Sequence, residues 1–518
     1  MRGQTLAEFI PRLRLESLLA ELDPIRVTGP VSSAIRGVAY HSQAVASAYV
    51  FVALPGHIHD GHDFVLEACR RGASAVVVER WLPDLPADVT QIQVHDARVA
   101  LAVLAGVVYE QPAKQLILIG VTGTNGKTTT SHILEQMLRA VGHNVGVLGT
   151  IAYRYGNRTL PAPTTTPESL DLQEILRDMV NDHVTHAIME VTSHALIQQR
   201  VHGCPFRTAV FTNLTRDHLD YHGDMTTYRT AKIRLFEEHL LDRNQGGWAV
   251  VNVDDPAAPE ILRHCRAEAL TFGEAEQADF QLVHQRTEAN GTHLTIDYPG
   301  GRKDLSSALL GRHNVSNILA ACAAAWTLEV GPPYWQAGLD RLPRVRGRFE
   351  PVENAHGARV IVDYAHTPDA LHRALASARR LAAGKLICVF GCGGNRDQGK
   401  RPLMARAAAE FSDLIVVTSD NPRGEPPSII IHQIVSGFAG MKIRQLDPGS
   451  TVDEKSLPAY VVLQDRQTAI RWAVKGARPE DLVLIAGKGH ETYQIIGTQR
   501  VPFDDREVVL RVLEEMAG

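Results

Sequence analysis

Short apolar runs recur along the chain, and the residues after each run differ in kind. Leu116 to Val121 (LILIGV) is apolar and β-branched, breaks at Gly123, passes through Thr124, Asn125 and Gly126 to Lys127 and three threonines, then resumes with helical spacing as SHILEQML. That order predicts strand, glycine loop, helix. Two more apolar runs, HAIMEV and TAVFTN, predict strands that each run into polar residues. Beyond RLPRVRGRFE the pattern becomes a regular alternation: KLICVFG, helical RPLMARAAAEF, DLIVVTS, helical SIIIHQIVSGF, AYVVLQ, helical RQTAIRWAVKGA and DLVLIAG. Repeated β-α-β of this kind predicts a parallel, doubly wound sheet. The first block holds short strands, YVFVAL and SAVVVE, among helical stretches. Three α/β blocks are therefore expected: 1–112, 113–342 and 343–518.

Composition changes this picture little. The 518 residues are 44% hydrophobic and 21% charged, with a net charge of -5. That is ordinary for a soluble protein and leaves no electrostatic footprint for nucleic acid. The most apolar run, VALAVLAGVVY, is too short to span a bilayer, and the first residues lack a signal peptide's apolar core. The six cysteines have neither C-x-x-C nor metal-ligand spacing, so reduced thiols in a cytoplasmic protein are expected.

The chemistry begins at the glycine loop. Glycine lets backbone N–H groups crowd toward an anion, and the helix N-terminus adds positive potential. Lys127 would reach the outer phosphates, and the Thr128 hydroxyl would sit on Mg²⁺. The spacing departs from G-x-x-x-x-G-K-[ST], because Val121 stands five positions before Gly126. Glu190 and His218 each follow an apolar strand on the side where the phosphate loop lies, as metal ligands would. Other motifs read blandly when taken alone. The Asp- and His-rich stretch around Asp217, Asp220 and His222 reads as a turn. Lys232, beside Leu235 and Phe236, reads as a snorkelling surface lysine. Asn314 and Asn317 read as helix-capping polars, and Asp420-Asn421-Pro422-Arg423 as a plain turn.

Ten motifs together say more: GVTGTNGKTTT, MEVTSHAL, TNLTRDHLDYHG, YRTAKIRLF, GRHNVSNILAA, VRGRFEPV, DYAHTPDAL, GCGGNRDQGKRPLM, SDNPR and AGKGHETYQ. In this order they resemble the Mur ligase family over nearly the whole chain. The glycine loop alone would also suit a folylpolyglutamate synthase. The resemblance implies an N-terminal domain for the uridine end of a substrate, a central ATPase and a C-terminal Rossmann-like domain for an incoming amino acid. It places ATP against Gly123, Thr124, Asn125, Gly126, Lys127, Thr128, Thr129, Asn314, Asn317, Arg348 and Asp363. It gives the metal to Thr128, Glu190, His218 and Lys232, the last as a CO2-derived carbamate. Carbamate formation needs a neutral amine, and hence a perturbed, partly buried lysine.

For the substrate UDP-N-acetylmuramoyl-L-alanyl-D-glutamate the matching positions are Ser42, Gly56, His57, Thr165, Thr166, Thr192, Gln198 and Arg200. The uridine region departs from the family at His41, Gln43 and Ile58. Arg396, Asp420, Asn421, Arg423, Gly487 and Glu491 match positions for meso-2,6-diaminopimelate, with Arg423 on its distal carboxylate and Glu491 on its distal ammonium. A guanidinium fork suits that carboxylate, which lysine lacks. The resemblance thus implies a monomeric ATP-dependent amide ligase of peptidoglycan synthesis. A lysine-adding relative and a non-catalytic nucleotide-binding regulator are the alternatives.

Overall fold

The computed structural model describes residues 13–56, 59–288, 291–353, 358–449 and 458–517. Three sheets of five, eleven and seven strands carry most of the described chain. The five-stranded sheet runs Arg26–Thr28, Thr90–Gln93, Ala73–Val78, Tyr49–Val52, Gly37–Ala39, parallel except at the Arg26–Thr28 edge. Most of the longest apolar run folds as helix Ala97–Val108, whose Leu101, Leu104 and Ala105 are buried against this sheet. Among the described residues no helix is long and apolar enough to cross a membrane.

In the eleven-stranded sheet, Ile117–Thr122 lies between His186–Glu190 and Phe206–Phe211, all three parallel. Parallel strands end on one side, so the loops after them converge. Those loops are Gly123–Gly126, the turn into Ser193–Ile197, and Thr212–Asp217. Side chains from both faces are buried, which explains near-continuous apolar runs rather than alternation. The sheet continues through Trp248–Asn252 and Glu268–Gly273, then turns antiparallel at Phe280–Glu288, Gly291–Tyr298 and Gly301–Ser307. Helices Lys127–Val141, Arg312–Thr327 and Pro332–Arg341 pack over one face through Ile133, Met137, Ile318 and Trp335.

The seven-stranded sheet matches the doubly wound expectation. Arg359–Asp363, Leu482–Ala486, Leu386–Phe390, Leu414–Val417, Ala459–Val462 and Arg444–Gln445 are parallel in that spatial order, with Glu350–Val352 antiparallel at the edge. Helices Pro368–Leu381, Lys400–Phe411 and Pro427–Val435 bury Leu371, Met404 and Ile430 on one face. Arg466–Gly476 and Asp505–Ala517 bury Ile470 and Val509 on the other.

The strand ends of the two larger sheets face each other. Arg216 forms a fork with Asp397 at 2.8 and 3.1 Å, Asn125 Nδ2 donates to Asp369 Oδ2 at 3.1 Å, and Arg348 Nη2 donates to Thr128 Oγ1 at 2.9 Å.

Candidate active site

The glycine loop closes over the backbone of the next strand. Gly123 has φ +143°, and a side chain there would collide with Thr212 Oγ1. Gly126 has φ +91°, and a Cβ would meet Asn317 Oδ1 at 2.3 Å. Both positions therefore require glycine. The loop is held by groups whose role its own sequence does not signal. Asn213 Oδ1 accepts from Asn125 N at 2.9 Å, Asn213 O accepts from Thr124 N at 2.8 Å, and Thr212 Oγ1 donates to Asn125 O at 2.6 Å. Asn314 and Asn317 are buried inside helix Arg312–Thr327 rather than capping it, and Asn317 Nδ2 donates to Asn314 Oδ1 at 3.0 Å. The capping reading of that pair fails because Gly311 is the N-cap. Thr129 is buried behind the loop.

Three cations surround the loop. Lys127 Nζ donates to Gly123 O and Thr124 O, both at 2.9 Å. Burial lowers its pKa, and the neighbouring Arg348 lowers it further against the pull of Glu190. Lys232 is 2% exposed, which overturns the snorkelling reading. Its Nζ donates to the same Gly123 O at 2.9 Å and sits 4.6 Å from the centre of the Tyr228 ring. Burial first, then the charge of Lys127, hold its pKa well below the usual lysine range. Helix Met225–Arg234 carries Lys232 to the underside of the loop, so a lysine flanked by ordinary helical residues faces the interior.

Glu190, 1% exposed at the end of its strand, accepts from Thr128 Oγ1 at 3.0 Å, Thr150 N at 3.0 Å and Thr150 Oγ1 at 2.8 Å. Sequence reasoning misses Thr150, because a threonine after a strand carries no distinguishing signal. His218 adopts a left-handed backbone (φ 55°) before the short helix Leu219–His222. Burial pushes its imidazole down to about 3, keeping it neutral as a metal ligand must be. Among the described residues no three His, Cys, Asp or Glu side chains cluster as a metal cage. A Thr128 hydroxyl beside one carboxylate still fits Mg²⁺, which takes one or two protein oxygens and completes its shell with phosphate and water.

His218 also lines a cavity of about 280 Å³ with His194, Asp220, Tyr221 and Arg396. Asp217, a turn residue by its sequence alone, is buried between sheets, with His218 Nε2 and His366 Nε2 each 3.5 Å from Oδ2 and Lys400 Nζ 3.9 Å from Oδ1. Burial works to raise its pKa, yet the hydrogen bond from His366, with His218 and Lys400 beside it, holds it well below the carboxylate range. Asp363 ends its strand and accepts from Phe349 N at 2.6 Å and Ala365 N at 2.8 Å, fixing the turn that carries Arg348. Burial raises its pKa.

Beside Glu190, Thr166 Oγ1 donates to Glu190 O at 2.8 Å, Thr165 and Thr150 hydroxyls lie 3.1 Å apart, and Thr192 caps helix Ser193–Ile197. Arg200 Nη1 donates to Thr166 O at 2.8 Å, and Gln198 Nε2 to Tyr221 OH at 3.2 Å. Ser42 lies in the five-stranded domain, donating to Glu67 Oε2 at 2.9 Å, and Gly56 packs under His59 O. His57 and Ile58 lie outside the described residues.

At the carboxyl ends of the seven-stranded sheet, Arg423 (φ 50°) donates through Nη1 to Gly394 O at 3.0 Å. Burial first, then the charge of Arg396, lower its pKa. Among the described residues neither guanidinium has a carboxylate in ion-pair contact. Asp420 is buried; burial favours its neutral form, but Lys488 and Arg466 outweigh that and lower its pKa. Gly487 (φ +117°) leaves room for Asp420 Oδ2, 2.6 Å from where a Cβ would stand. Glu491 Oε2 accepts from Lys488 Nζ at 2.7 Å and Asn421 Nδ2 at 2.8 Å, because Lys488, inconspicuous in GKGHE, turns inward.

Buried neutral histidines outside the site make a pH prediction. His186 and His239 are held near 4, chiefly by burial. Below about pH 6.5 the unfolded chain binds protons that the fold refuses, so stability falls with falling pH. Each should remove about 1.4 kcal/mol per pH unit between about 6.5 and 4. Thermal melts from pH 7.5 to 5 should show the midpoint dropping, with a shallower slope in His186→Gln; parallel slopes would dismiss the histidine origin.

A phosphate loop on a parallel sheet, a facing doubly wound domain and a third, smaller sheet define an ATP-dependent ligase architecture. The family comparisons agree: the Mur ligase family catalytic domain matches residues 34–109, the Mur ligase middle domain 121–325, and the Mur ligase glutamate ligase domain 347–489. The chain belongs to the Mur ligase family. It is 44% identical, over 98% of its length and 99% of the relative's, to the UDP-N-acetylmuramoyl-L-alanyl-D-glutamate--2,6-diaminopimelate ligase of Geobacter metallireducens. A solved structure of a ligase with that same name aligns at TM-score 0.67 and 30% identity, covering 98% of this chain and all of that one. At 21% identity the MurF ligase of Thermotoga maritima, solved in complex with ADP, shares the fold (TM-score 0.62, covering 92% of this chain and 97% of that one).

Proposed function

We propose that this chain joins an amine of meso-2,6-diaminopimelate to the D-glutamate γ-carboxylate of UDP-N-acetylmuramoyl-L-alanyl-D-glutamate, at the expense of ATP, as a cytoplasmic monomer. On this reading residues 1–112 hold the uridine end, 113–342 the nucleotide and 343–518 the acceptor. The observation that carries the choice of acceptor is the pair Arg396 and Arg423, two neighbouring guanidiniums with no ion-pair partner among the described residues. Diaminopimelate supplies one at its distal head, and L-lysine does not. The regulator alternative has no support from a chain that keeps Lys127, Glu190, His218 and Lys232 around one loop.

The γ-carboxylate attacks the γ-phosphorus of ATP, ADP leaves, and an acyl phosphate remains. A carboxylate approaching a polyanion is repelled, so Lys127 and Arg348 neutralise charge and hold the atoms in line. Mg²⁺, held by Thr128 and Glu190 with His218 nearby, would add Lewis-acid screening of the phosphate oxygens. The acceptor amine then adds to the acyl carbon, and the tetrahedral adduct expels phosphate as the amine loses a proton. Arg423 and Arg396 grip the distal carboxylate, while Thr165, Thr166, Thr192, Gln198 and Arg200 position the dipeptide.

A carbamate on Lys232 fits its surroundings. A depressed pKa gives the neutral amine that captures CO2, the product keeps one N–H for Gly123 O, and its negative charge relieves the repulsion with Lys127.

Ligation by wild type and Arg423→Ala, each with meso-diaminopimelate or L-lysine at saturating ATP and UDP-dipeptide, tests the reading. Loss of the guanidinium should cost about 2–4 kcal/mol in acceptor binding. That is roughly thirty- to nearly a thousandfold in apparent affinity. Use of lysine should fall much less. Equal loss with both acceptors, or a wild type that prefers lysine, would reject it.

A further inference from the structure

Arg423 lies on one loop and Arg396 on another, and two like charges held close push those loops apart. The pair that ties the two loops together has its guanidinium fully buried and its carboxylate partly exposed. Arg401, fully buried in helix Lys400–Phe411, forks onto Glu425 with Nη1 to Oε2 at 2.8 Å and Nη2 to Oε1 at 2.9 Å. The same guanidinium donates to Gly393 O at 3.1 Å and to Gln433 Oε1. Glu425 Oε1 also accepts from Asn395 N, and Asn395 Oδ1 accepts from Gly424 N at 2.9 Å. The loop bearing Arg396 is thus tied to the pair on both sides of the Gly393-Gly394 backbone, over which the Arg423 guanidinium lies: an added Cβ at Gly393 would meet Arg423 Nη1 at 2.8 Å.

We propose that Arg401 and Glu425 are positioning residues for acceptor choice: an ion pair, its guanidinium fully buried, that never touches the acceptor but fixes the spacing of the Arg396 and Arg423 guanidiniums to one carboxylate. The inference rests on the reading of Arg423 given above. An ion pair is expensive to bury, and an apolar pair of similar volume often serves stability as well. Its use here is directional: charged hydrogen bonds fix loop geometry that apolar contact leaves loose. Displacing a binding group by about 1 Å can cost on the order of a hundredfold.

The test is steady-state ligation by Glu425→Gln, Arg401→Met/Glu425→Gln and Arg423→Ala, alone and combined with Glu425→Gln. KM is measured separately for meso-diaminopimelate, L-lysine, ATP and UDP-dipeptide. We expect KM for meso-diaminopimelate to rise roughly ten- to a hundredfold in Glu425→Gln. KM for ATP and for L-lysine should move less than about threefold, so the preference between acceptors narrows. With Arg423 already replaced, Glu425→Gln should add little, an interaction that general loosening of the domain would not produce. The double replacement keeps the buried volume, so it supplies the same readout if Glu425→Gln alone does not fold. An unchanged diaminopimelate KM in either variant, or equal losses for all four substrates, overturns the positioning role. If Arg423→Ala itself leaves that KM unchanged, the reading of Arg423 fails first and takes this inference with it; if only the Glu425 variants are silent, the inference alone falls.

Discussion

Ligation by Lys127→Ala should fall by roughly a thousandfold, the scale of removing one preorganised charge from a transition state. Its melting temperature should stay level or rise. Among the described residues, Nζ of Lys127 donates to the carbonyls of Gly123 and Thr124, in a loop that also faces Lys232 and Arg348. The basic groups gathered there, with Glu190 and Asp217 as the carboxylates beside them, repel one another until a polyanion arrives. Taking one away relieves that repulsion while removing charge the phosphates need. Phosphate release, equilibrium nucleotide binding and a thermal melt separate the cases. Turnover within tenfold of wild type would discard the phosphate role, and a melt lowered by many degrees would make Lys127 structural.

Lys232→Met should be inactive and more stable at once. The sign comes from the depressed pKa: the unfolded lysine holds its proton more tightly than the buried one, so ordering it costs free energy that methionine does not pay. Activity should drop at least about a hundredfold, because no side chain remains to carry a metal-supporting carboxylate. Wild-type activity should rise with added bicarbonate after CO2 is stripped, and intact mass under gentle conditions should show one added carboxyl. A Lys232→Met enzyme with normal turnover would remove Lys232 from the mechanism. A variant that is inactive but strongly destabilised would make it a packing residue instead.

Legibility divides along a physical line. The glycine loop, the acidic and imidazole side chains after apolar strands and the repeated β-α-β are readable because each is written in contiguous residues. Lys232 is not: Ala231 and Ile233 beside it are ordinary helical neighbours, and its burial depends on where helix Met225–Arg234 docks. Only motif resemblance draws attention to it. The partner of Glu491 escapes the sequence for a related reason, since Lys488 is three residues away but faces it only because Gly487 and Gly489 turn the backbone (φ +117° and +52°). Thr150 and Asn213 brace Glu190 and the loop from separate strands, and no local pattern singles out either one. The antiparallel extension from Phe280 to Ser307 escapes the pattern as well, its strands being half-exposed and polar on one side.

The place of Leu482–Ala486 has a consequence for synthesis. This strand is the last to emerge of those in its sheet, yet it lies near the middle, paired with Arg359–Asp363 on one side and Leu386–Phe390 on the other. Until it leaves the ribosome, the nascent domain is two half-sheets with open, apolar edges, the form of chain most exposed to mispairing. Chaperone demand should therefore concentrate on a short interval late in translation, and the same residues that close the sheet also deliver Gly487 and Lys488 to the pocket proposed for the acceptor. Completion of folding and completion of that pocket become a single event.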